Sequence, residues 1–498
     1  SVVGAAVAKR MRRDVFERVT RFGSGEFGRF STASLITRTT NDVQQVQMML
    51  NMGLRTICFA PVMGIGGIIM AVRSSVSMSW IILVAVIAIA GMVSAVFALS
   101  MPKFKALQKL IDRINLVGRE ALSGMAVIRA FGNEAYEERR FEQASDELRR
   151  TNRFVLRVTS LTFPLMTLIM NMVTLLIVWV GAHAIAASQL RIGNMIAFMQ
   201  YAMMIIMSFL MLSMIFVILP RAAASAARIR EVLETEVPIR DPERPRAMPE
   251  GELTVEFRGV SFRYDRAEED VLSDISFTAR PGETTAFIGT TGSGKSTLVN
   301  LLLRLHDVTA GQITINGVDI RDIPLEELRR NIGYVPQKGI LFSGDIASNV
   351  KYGSPSAGEE DVREALEAAQ AKDFVESFEN GIHTPVAQGG SNLSGGQRQR
   401  LAIARALVKR PPIYVFDDCF SALDMRTDAA LRRALKTYTK GATVLLVAQR
   451  VGTIMNAEQI IVLDKGRIVA RGTHRELLET CPAYRDIAES QLSKEELA

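Results

Sequence analysis

Long uninterrupted apolar runs fill the first 220 residues of the chain, whereas from Leu253 onward short strand-like stretches alternate with helical patterns. A helix needs about 20 apolar residues to cross a bilayer. Three runs reach this length and contain no Asp, Glu, Lys or Arg, and a shorter run between Arg55 and Arg73 is marginal. The pattern predicts four membrane-spanning helices, near residues 54–73, 78–102, 157–187 and 191–220.

Basic residues lie between the apolar runs and are not spread evenly. Residues 9–55 and 102–157 are rich in Arg and Lys, whereas the two short connections hold only Arg73 and Arg191. Because basic loops stay on the cytoplasmic side of a membrane, we expect both long loops to be cytoplasmic helical extensions of the spans. The net charge of +7 therefore favours a multi-pass protein of the cytoplasmic membrane over a soluble protein that acts on nucleic acid.

A polar, proline-rich stretch separates the two halves of the chain. TEVPIRDPERPRAMPEG contains four prolines, which is typical of a linker between domains. We therefore predict a transmembrane domain at residues 1–233, a linker at 234–252 and a cytoplasmic domain of strands and helices at 253–498.

A glycine-rich loop opens the chemistry of this last domain. ETTAFIG has a strand pattern and leads into GTTGSGKS and then into an apolar helix, the strand–loop–helix context of the G-x-x-x-x-G-K-[ST] phosphate-binding loop. The Lys295 ammonium would reach the β- and γ-phosphates, and the Ser296 hydroxyl would bind Mg²⁺. A glycine-rich turn before an ordinary helix is the alternative. The predicted ATP-binding residues of the loop are Gly289, Thr290, Thr291, Gly292, Ser293, Gly294, Lys295, Ser296 and Thr297.

Two adjacent carboxylates follow an apolar strand pattern that runs from Ile413 to Phe416. In P-loop enzymes a carboxylate at the end of such a strand is associated with Mg²⁺, and we assign this role to Asp417. Two acids that only cap the next turn are the alternative, which the phosphate loop disfavours.

LSGGQ, followed by RQRLAIARAL, resembles the signature motif of ATP-binding-cassette (ABC) proteins, and its place between the phosphate loop and the acidic strand end matches that family. Tyr264 in VSFRY resembles the aromatic residue that stacks on adenine. Gln337 in YVPQ resembles the glutamine that senses Mg²⁺ and contacts the membrane domain, and SALD resembles the loop that crosses between two cassettes. By this resemblance the signature is Leu393, Ser394, Gly395, Gly396 and Gln397, the crossing loop is Ser421, Ala422, Leu423 and Asp424, and the Mg²⁺ set is Ser296, Gln337 and Asp417.

The resemblance extends over the whole chain and is to half-transporters of the exporter type. It implies a multidomain membrane protein, an all-α transmembrane bundle with long cytoplasmic helical extensions followed by a P-loop α/β ATP-binding cassette with a helical subdomain. Two segments, near residues 23–43 and 121–141, resemble the cytoplasmic coupling loops of that family. Since its half-transporters have six spans, the resemblance implies that the chain opens at the end of the second span. The implied cofactors are ATP and Mg²⁺, with ATP joining two cassettes.

Two positions depart from the family pattern. The family usually has Glu, which polarises the attacking water, at the position of Asp418, and His, which contacts the γ-phosphate, at the position of Gln449. An Asp side chain is one methylene shorter, and a displacement of about 1 Å can cost on the order of 10²-fold in rate. A glutamine donates a hydrogen bond but cannot become a cation. Both changes fall on the site of this chain's own phosphate loop, so we predict slow hydrolysis there.

The intact LSGGQ indicates how such a chain works with others. It would complete the ATP site of a second ABC half-transporter that carries the catalytic Glu and His, so we predict one subunit of a heterodimeric, ATP-driven exporter. The alternatives are a homodimeric exporter, an exporter-fold importer of lipid-like cargo, and an ATP-gated regulatory subunit with little turnover.

Seven methionines lie between Met195 and Met214 in the last predicted span, several of them on one helix face. A packing stripe explains them as well as an adaptable cavity wall for varied hydrophobic cargo does. We expect the cargo to be a hydrophobic small molecule such as a drug, or a lipid. The other expected contact is membrane lipid, and nucleic acid is not an expected partner.

Overall fold

The computed structural model describes residues 2–188, 190–265 and 267–492, apart from a few side chains inside helices. The chain divides into two compact units, residues 1–20 with 33–234 and residues 21–32 with 235–498. Within the described residues the first unit is helical and the second combines sheets with helices.

The first unit consists of long helices joined by short turns. Two π-helical turns, Arg38–Asp42 and Met49–Gly53, connect three helices into one continuous stretch, and widened turns of this kind recur at functional sites. The helices up to the linker are α1 (Val2–Thr20), α2 (Ser24–Arg29, part of the second unit), α3 (Thr32–Thr37), α4 (Val43–Met48), α5 (Leu54–Ser74), α6 (Ser79–Ser123), α7 (Met125–Phe131), α8 (Glu134–Ser160), α9 (Thr162–Ala186) and α10 (Ile192–Glu234).

Four helical stretches among the described residues are long and apolar enough to cross a membrane, and each contains one of the apolar runs of the sequence. Only 22–28% of the apolar part of each stretch is buried inside the protein, which suits side chains that face lipid. The stretches are Thr32–Ser74, Val76–Ser123, Glu134–Ala186 and Ile192–Leu212.

Small residues let α5 pack closely against α10. A Cβ atom at Gly67 would lie 2.8 Å from Cγ1 of Ile205, and one at Gly64 would lie 2.8 Å from the hydroxyl of Ser208. The Ser208 hydroxyl donates to the carbonyl oxygen of Ile205 at 2.7 Å, so this polar group is satisfied within its own helix. Close approach through small residues is the usual packing mode of membrane helices.

An ion pair between a buried carboxylate and a half-exposed guanidinium joins the turn Arg38–Asp42 to the last turns of α10. Nε of Arg228 donates to Oδ2 of Asp42 at 2.8 Å, and the Ser225 hydroxyl donates to Oδ1 of Asp42 at 2.9 Å. Asp42 is only 2% exposed, and a buried carboxylate stays ionised only with such partners.

The helices α6 and α8 lie side by side beyond the apolar stretches. Arg113 donates to Glu147 at 2.8 Å, and Arg140 donates to Glu120 at 2.7 Å. The chain turns between α7 and α8 at Gly132, whose φ of +61° favours glycine. The helical run is therefore interrupted at this glycine.

The methionine stripe of α10 is divided between packing and exposure. Met195 lies against Gly181 of α9, and Phe198 is fully buried. Met203 and Met207, further along, are exposed. The side chain of Met214 lies outside the described residues.

The described residues of the second unit form three sheets, whose strands are β1 (Val255–Phe262), β2 (Leu272–Ala279), β3 (Thr284–Gly289), β4 (Ala310–Ile315), β5 (Val318–Asp319), β6 (Ile332–Val335), β7 (Gly344–Asp345), β8 (Pro385–Val386), β9 (Ile413–Asp417), β10 (Thr443–Val447), β11 (Gln459–Asp464) and β12 (Arg467–Gly472). The sheet orders are β12-β11-β3-β10-β9-β6, β2-β1-β4-β5 and β7-β8. The helices are α11 (Lys295–Leu302), α12 (Leu325–Arg330), α13 (Ile346–Lys351), α14 (Glu359–Ala368), α15 (Lys372–Glu376), α16 (Gly395–Leu407), α17 (Met425–Tyr438), α18 (Val451–Ile454), α19 (His474–Thr480) and α20 (Pro482–Gln491). Residues 493–498 of the predicted cassette lie outside the described part.

The strands β3, β10 and β9 run parallel in the middle of the six-stranded sheet. All residues of β9 and β10 are buried, as expected for strands covered on both faces, which carry continuous apolar runs. The strand β10 pairs with β3 on one side and with β9 on the other, and Val447 lies opposite both Phe287 and Asp417. This register brings the ends of β3, β9 and β10 to the same edge of the sheet.

The segment 21–32, with α2, belongs to the second unit. Phe22 and Phe30 are buried and their rings stack at 5.9 Å. Glu26 caps α2 by accepting from the backbone N–H of Gly23 at 2.7 Å, and a Cβ atom at Gly23 would lie 3.3 Å from the carbonyl oxygen of Leu305. Part of the segment predicted to couple the domains is therefore packed in the same unit as the cassette.

Candidate nucleotide site

The loop between β3 and α11 has a shape that only glycine permits at two positions. A side chain at Gly289 would collide with the carbonyl oxygen of Leu463, and Gly294 has a φ of +95° with the side chain of Leu272 close beside it. Thr291 and Gly292 lie exposed at the tip of the loop. Such a loop, followed directly by a helix N-terminus, presents backbone N–H groups to an anion.

The Lys295 side chain lies back over this loop. Its ammonium group donates to the carbonyl oxygens of Gly289 and Thr290 at 2.9 and 2.8 Å. Burial lowers the pKa of Lys295, while the charges of Asp418 and Asp417 oppose this shift. The ammonium is thus held beside the loop, where its charge would attract the oxygens of a bound phosphate.

Ser296 and Asp417 meet at the ends of the loop and of β9. The Ser296 hydroxyl donates to Oδ1 of Asp417 at 2.9 Å. Burial raises the pKa of Asp417, and the charge of Asp418 adds to this, while the Ser296 hydrogen bond opposes it. A hydroxyl and a carboxylate side by side are ligands of the kind that Mg²⁺ takes together with phosphates and water. No cluster of three or more His, Cys, Asp or Glu side chains suited to a metal occurs in the described residues.

Asp418 is held by two amide groups at once. Its Oδ2 accepts a hydrogen bond from Nε2 of Gln449 at 2.7 Å and from Nε2 of Gln337 at 3.0 Å. Its backbone has a φ of +47°, a left-handed conformation that Asp tolerates better than most residues. Burial raises the pKa of Asp418, and the hydrogen bond from Gln337 and the charge of Lys295 oppose the shift.

Arg450 links this part of the site to the segment SALD. Its guanidinium donates to the carbonyl oxygen of Ser421 at 3.1 Å and to that of Leu423 at 3.5 Å. The Ser421 hydroxyl donates back to the carbonyl oxygen of Asp418 at 3.0 Å. Asp424 caps α17 by accepting from the backbone of Thr427. Hydrogen bonds therefore tie the segment SALD to Asp418 and to Arg450, the residue after Gln449.

The LSGGQ segment forms the N-terminus of α16 and lies against SALD. The Ser394 hydroxyl accepts from the backbone of Gln397 at 3.2 Å, and the Gln397 side chain accepts from the backbone of Ser394 at 2.8 Å. A Cβ atom at Gly396 would lie 3.4 Å from the carbonyl oxygen of Ala422. This reciprocal cap leaves the first turn of the helix well ordered as a donor of N–H groups.

Tyr264 lies beside the start of α11. Its hydroxyl is 3.0 Å from that of Thr297, and its ring contacts Phe262 and His306 edge-on at 4.8 and 5.2 Å. The ring is partly exposed. Burial lowers the pKa of His306, and neighbouring carboxylates oppose this shift.

Comparisons with known proteins fit this geometry. The family "ABC transporter transmembrane region" matches residues 1–209, and the family "ABC transporter" matches residues 272–421. A protein of Mycobacterium tuberculosis described as an uncharacterized ABC transporter ATP-binding protein is 43% identical, over 99% of this chain and 85% of the relative. The chain belongs to the ABC transporter family. An ATP-dependent lipid A-core flippase of Hahella chejuensis is 32% identical to this ABC transporter, over 99% of the chain and 84% of the flippase.

A solved structure extends the likeness to the full architecture of this ABC transporter. The structure of a bacterial Atm1-family ABC exporter with ATP bound matches with a TM-score of 0.82 and 26% identity, over 99% of this chain and 86% of that one. The predicted half-transporter of exporter type and its fold class, a helical membrane domain followed by an α/β cassette, are confirmed. An ABC ATPase domain binds ATP, and its presence implies ATP hydrolysis.

The structure groups the predicted site residues of this exporter into two sets. The first surrounds the phosphate loop and comprises Lys295, Ser296, Gln337, Asp417, Asp418 and Gln449, with Tyr264 beside Thr297. The second joins LSGGQ to SALD. Sequence reasoning missed His306 and Arg450. Arg450 directly follows Gln449, and a cation next to a predicted site residue is a sequence signal that could have pointed to Arg450.

Proposed function

We propose that this chain is one subunit of a heterodimeric ABC exporter whose own ATP site binds ATP with Mg²⁺ and hydrolyses it slowly. The observation that carries the proposal is the pair of amide groups on Asp418. A base that activates water needs an oxygen free to accept the proton. Here Oδ2 accepts both hydrogen bonds, which hold the carboxylate in place and leave only Oδ1 for this task, on a side chain shorter than the Glu usual at this position.

The residues proposed to bind ATP are intact beside this weakened base. Lys295 and the loop supply positive charge and N–H donors, Ser296 and Asp417 fit Mg²⁺, and Tyr264 offers a ring face to adenine. Bound Mg²⁺ would neutralise charge on the phosphates, and the residues of this chain would orient them. Binding without rapid turnover follows from this combination.

The capped LSGGQ helix supports a role toward a partner. Its free N–H groups suit the γ-phosphate of ATP on a second half-transporter that carries the catalytic Glu and His. SALD would lie at the same interface, because Ala422 lies against the signature. One good signature and one poor base in the same chain favour two different subunits over two copies of this one.

Two exposed apolar surfaces also support a dimer. In the first unit, Val127 and Phe131 of α7 are exposed, and α7 buries none of its residues. In the second unit, Ile340, Phe342 and Tyr352 are exposed. Neighbouring exposed apolar side chains often mark interaction sites. We propose that α7 of each subunit contacts the cassette of the other subunit.

The proposed cargo is a hydrophobic molecule, either a drug or a lipid. The lipid A-core flippase relative supports lipid, and the exposed Met203 and Met207 offer a flexible, polarizable surface to either. We place the protein in the cytoplasmic membrane as a multi-pass subunit with the cassette and the long loops in the cytoplasm, since the basic residues lie in those loops.

Co-purification with a partner half-transporter tests the proposal. The pair, reconstituted in proteoliposomes, should move a fluorescent lipid or drug when ATP is added and should retain ATP in this chain's site after washing. Lys295→Ala should abolish the retention and leave the partner's turnover in place. Robust ATP hydrolysis by this chain purified alone as a homodimer would contradict the proposal.

A regulatory subunit that binds ATP without supporting transport is the second candidate, because the same hold on Asp418 favours it. The two functions differ in one result. An exporter subunit moves cargo across the vesicle membrane in proportion to ATP consumed by the pair, whereas a regulatory subunit changes the partner's behaviour with no ATP-driven movement of its own.

A further inference from the structure

The last residue of α20 holds the backbone around Gln449. Oε1 of Gln491 accepts from the backbone N–H of Val451 at 2.8 Å, and Nε2 of Gln491 donates to the carbonyl oxygen of Gln449 at 2.9 Å. One primary amide thus spans the segment 449–451 with both of its ends. Only one orientation of the amide satisfies both partners, since a donor faces the carbonyl and an acceptor faces the N–H.

The segment that Gln491 spans carries two side chains of the site. Gln449 donates to Asp418 at 2.7 Å, and Arg450 donates to the carbonyl oxygens of Ser421 and Leu423. A shift of the backbone here would move both contacts together. The position of Gln491 therefore bears on the carboxylate position and on the loop SALD at once.

The helix α20 is itself firmly seated. Tyr484 and Ala488 are fully buried, and the Tyr484 hydroxyl is hydrogen-bonded to Nδ1 of His474 at 2.7 Å. Residues of α20 belong to the same apolar core as Val451 and Ile454 of α18. The helix α20 therefore anchors the backbone of residues 449–451 from outside the nucleotide site.

We infer that Gln491 is a positioning residue of the ATP site, which acts through the backbone of residues 449–451 to keep the Gln449 amide on Asp418. The inference deepens the proposed function, and it rests on that function when the experiment measures ATP retention. Two hydrogen bonds to a backbone segment are modest in strength, so their loss should change the rate of ATP release by roughly tenfold. The fold should remain.

The test compares ATP release from the heterodimer with the partner's own site silenced. Gln491→Ala should release pre-bound ATP roughly tenfold faster. Gln491→Glu should act in the same direction, because it replaces the donor to Gln449 by an acceptor. Ser490→Ala is the matched control, since the Ser490 hydroxyl donates within its own helix, to the carbonyl oxygen of Ile487.

A double-mutant cycle separates positioning from mere stability. If Gln491 acts through Gln449, then Gln491→Ala adds nothing to the release rate once Gln449→Ala is present, while each single change speeds release. Melting temperatures of all variants show whether the fold is kept. Additive effects, or an unchanged release rate in a folded Gln491→Glu variant, would overturn the inference.

The outcomes also distinguish this inference from the proposed function. If the wild-type site of this chain turns ATP over rapidly, the proposed function fails, and the same cycle is then read in the rate of hydrolysis. Coupling between Gln491 and Gln449 in that readout would uphold the inference. Absence of coupling in either readout would overturn it.

Discussion

Replacing Asp418 by Glu and Gln449 by His together should speed ATP hydrolysis at this chain's own site, which we propose to be slow. In the structure Oδ2 of Asp418 accepts from Gln449 at 2.7 Å and from Gln337 at 3.0 Å. One further methylene lengthens the side chain by about 1.5 Å, toward the loop that holds the phosphates. Histidine at position 449 removes one amide donor from the carboxylate and supplies a group that is able to become a cation.

The size of the gain follows from the displacement. An error of about 1 Å in a reacting group costs on the order of 10²-fold, and a well-placed general base contributes about 10²–10⁴-fold. We therefore expect turnover at this site to rise about 10²-fold, equivalent to about 3 kcal/mol of activation free energy. The single change Asp418→Glu should give less, because the Gln449 amide would still hold the carboxylate.

Steady-state ATP hydrolysis by the proposed heterodimer measures this, with the proposed partner's catalytic Glu replaced by Gln so that only this chain's loop contributes. Adding Lys295→Ala to the double variant is the control and should remove the gained activity. An unchanged rate in a double variant that still binds ATP would refute the argument that Asp418 and Gln449 limit the site.

Three further outcomes are expected. Lys295→Ala should weaken ATP binding about 10- to 100-fold by titration calorimetry, because hydrogen bonds to charged groups are each worth about 1.5–3 kcal/mol. Asp42→Asn should lower the unfolding free energy in detergent by about 1–3 kcal/mol, since it removes the charge of a buried carboxylate that is hydrogen-bonded to Arg228. Glu147→Gln, at a pair whose two side chains are both exposed, should cost about 0.5 kcal/mol or less. Burial lowers the pKa of His306 in the folded chain. As the pH falls, the unfolded chain therefore takes up a proton at this histidine first, and stability is lost through the usual histidine range. The variant His306→Phe should reduce the fall in melting temperature between neutral and mildly acidic pH.

Local patterns were enough to place the four long apolar helices and the glycine-rich loop. A long run of apolar residues avoids water whatever its neighbours are, so each of the four predicted spans falls in a long apolar helix. The loop that includes Gly289 and Lys295 depends on neighbouring residues for its shape, so its motif and its structure coincide. The packing of segment 21–32 with the second unit was not predicted, because nothing in those residues names the distant carbonyl of Leu305 as a neighbour.

The sequence by itself determined which chemical groups the ATP site has, including the short Asp418, the uncharged Gln449 and the intact LSGGQ. Only the tertiary structure decided that Gln337 and Gln449, which are 81 and 31 residues away from Asp418 along the chain, converge on one of its oxygens. Only the fold placed Gln491 across the backbone of Gln449 and Val451. The physical reason is that parallel strands gather the ends of distant segments at one edge of a sheet, so partners that share no local pattern come within hydrogen-bonding distance.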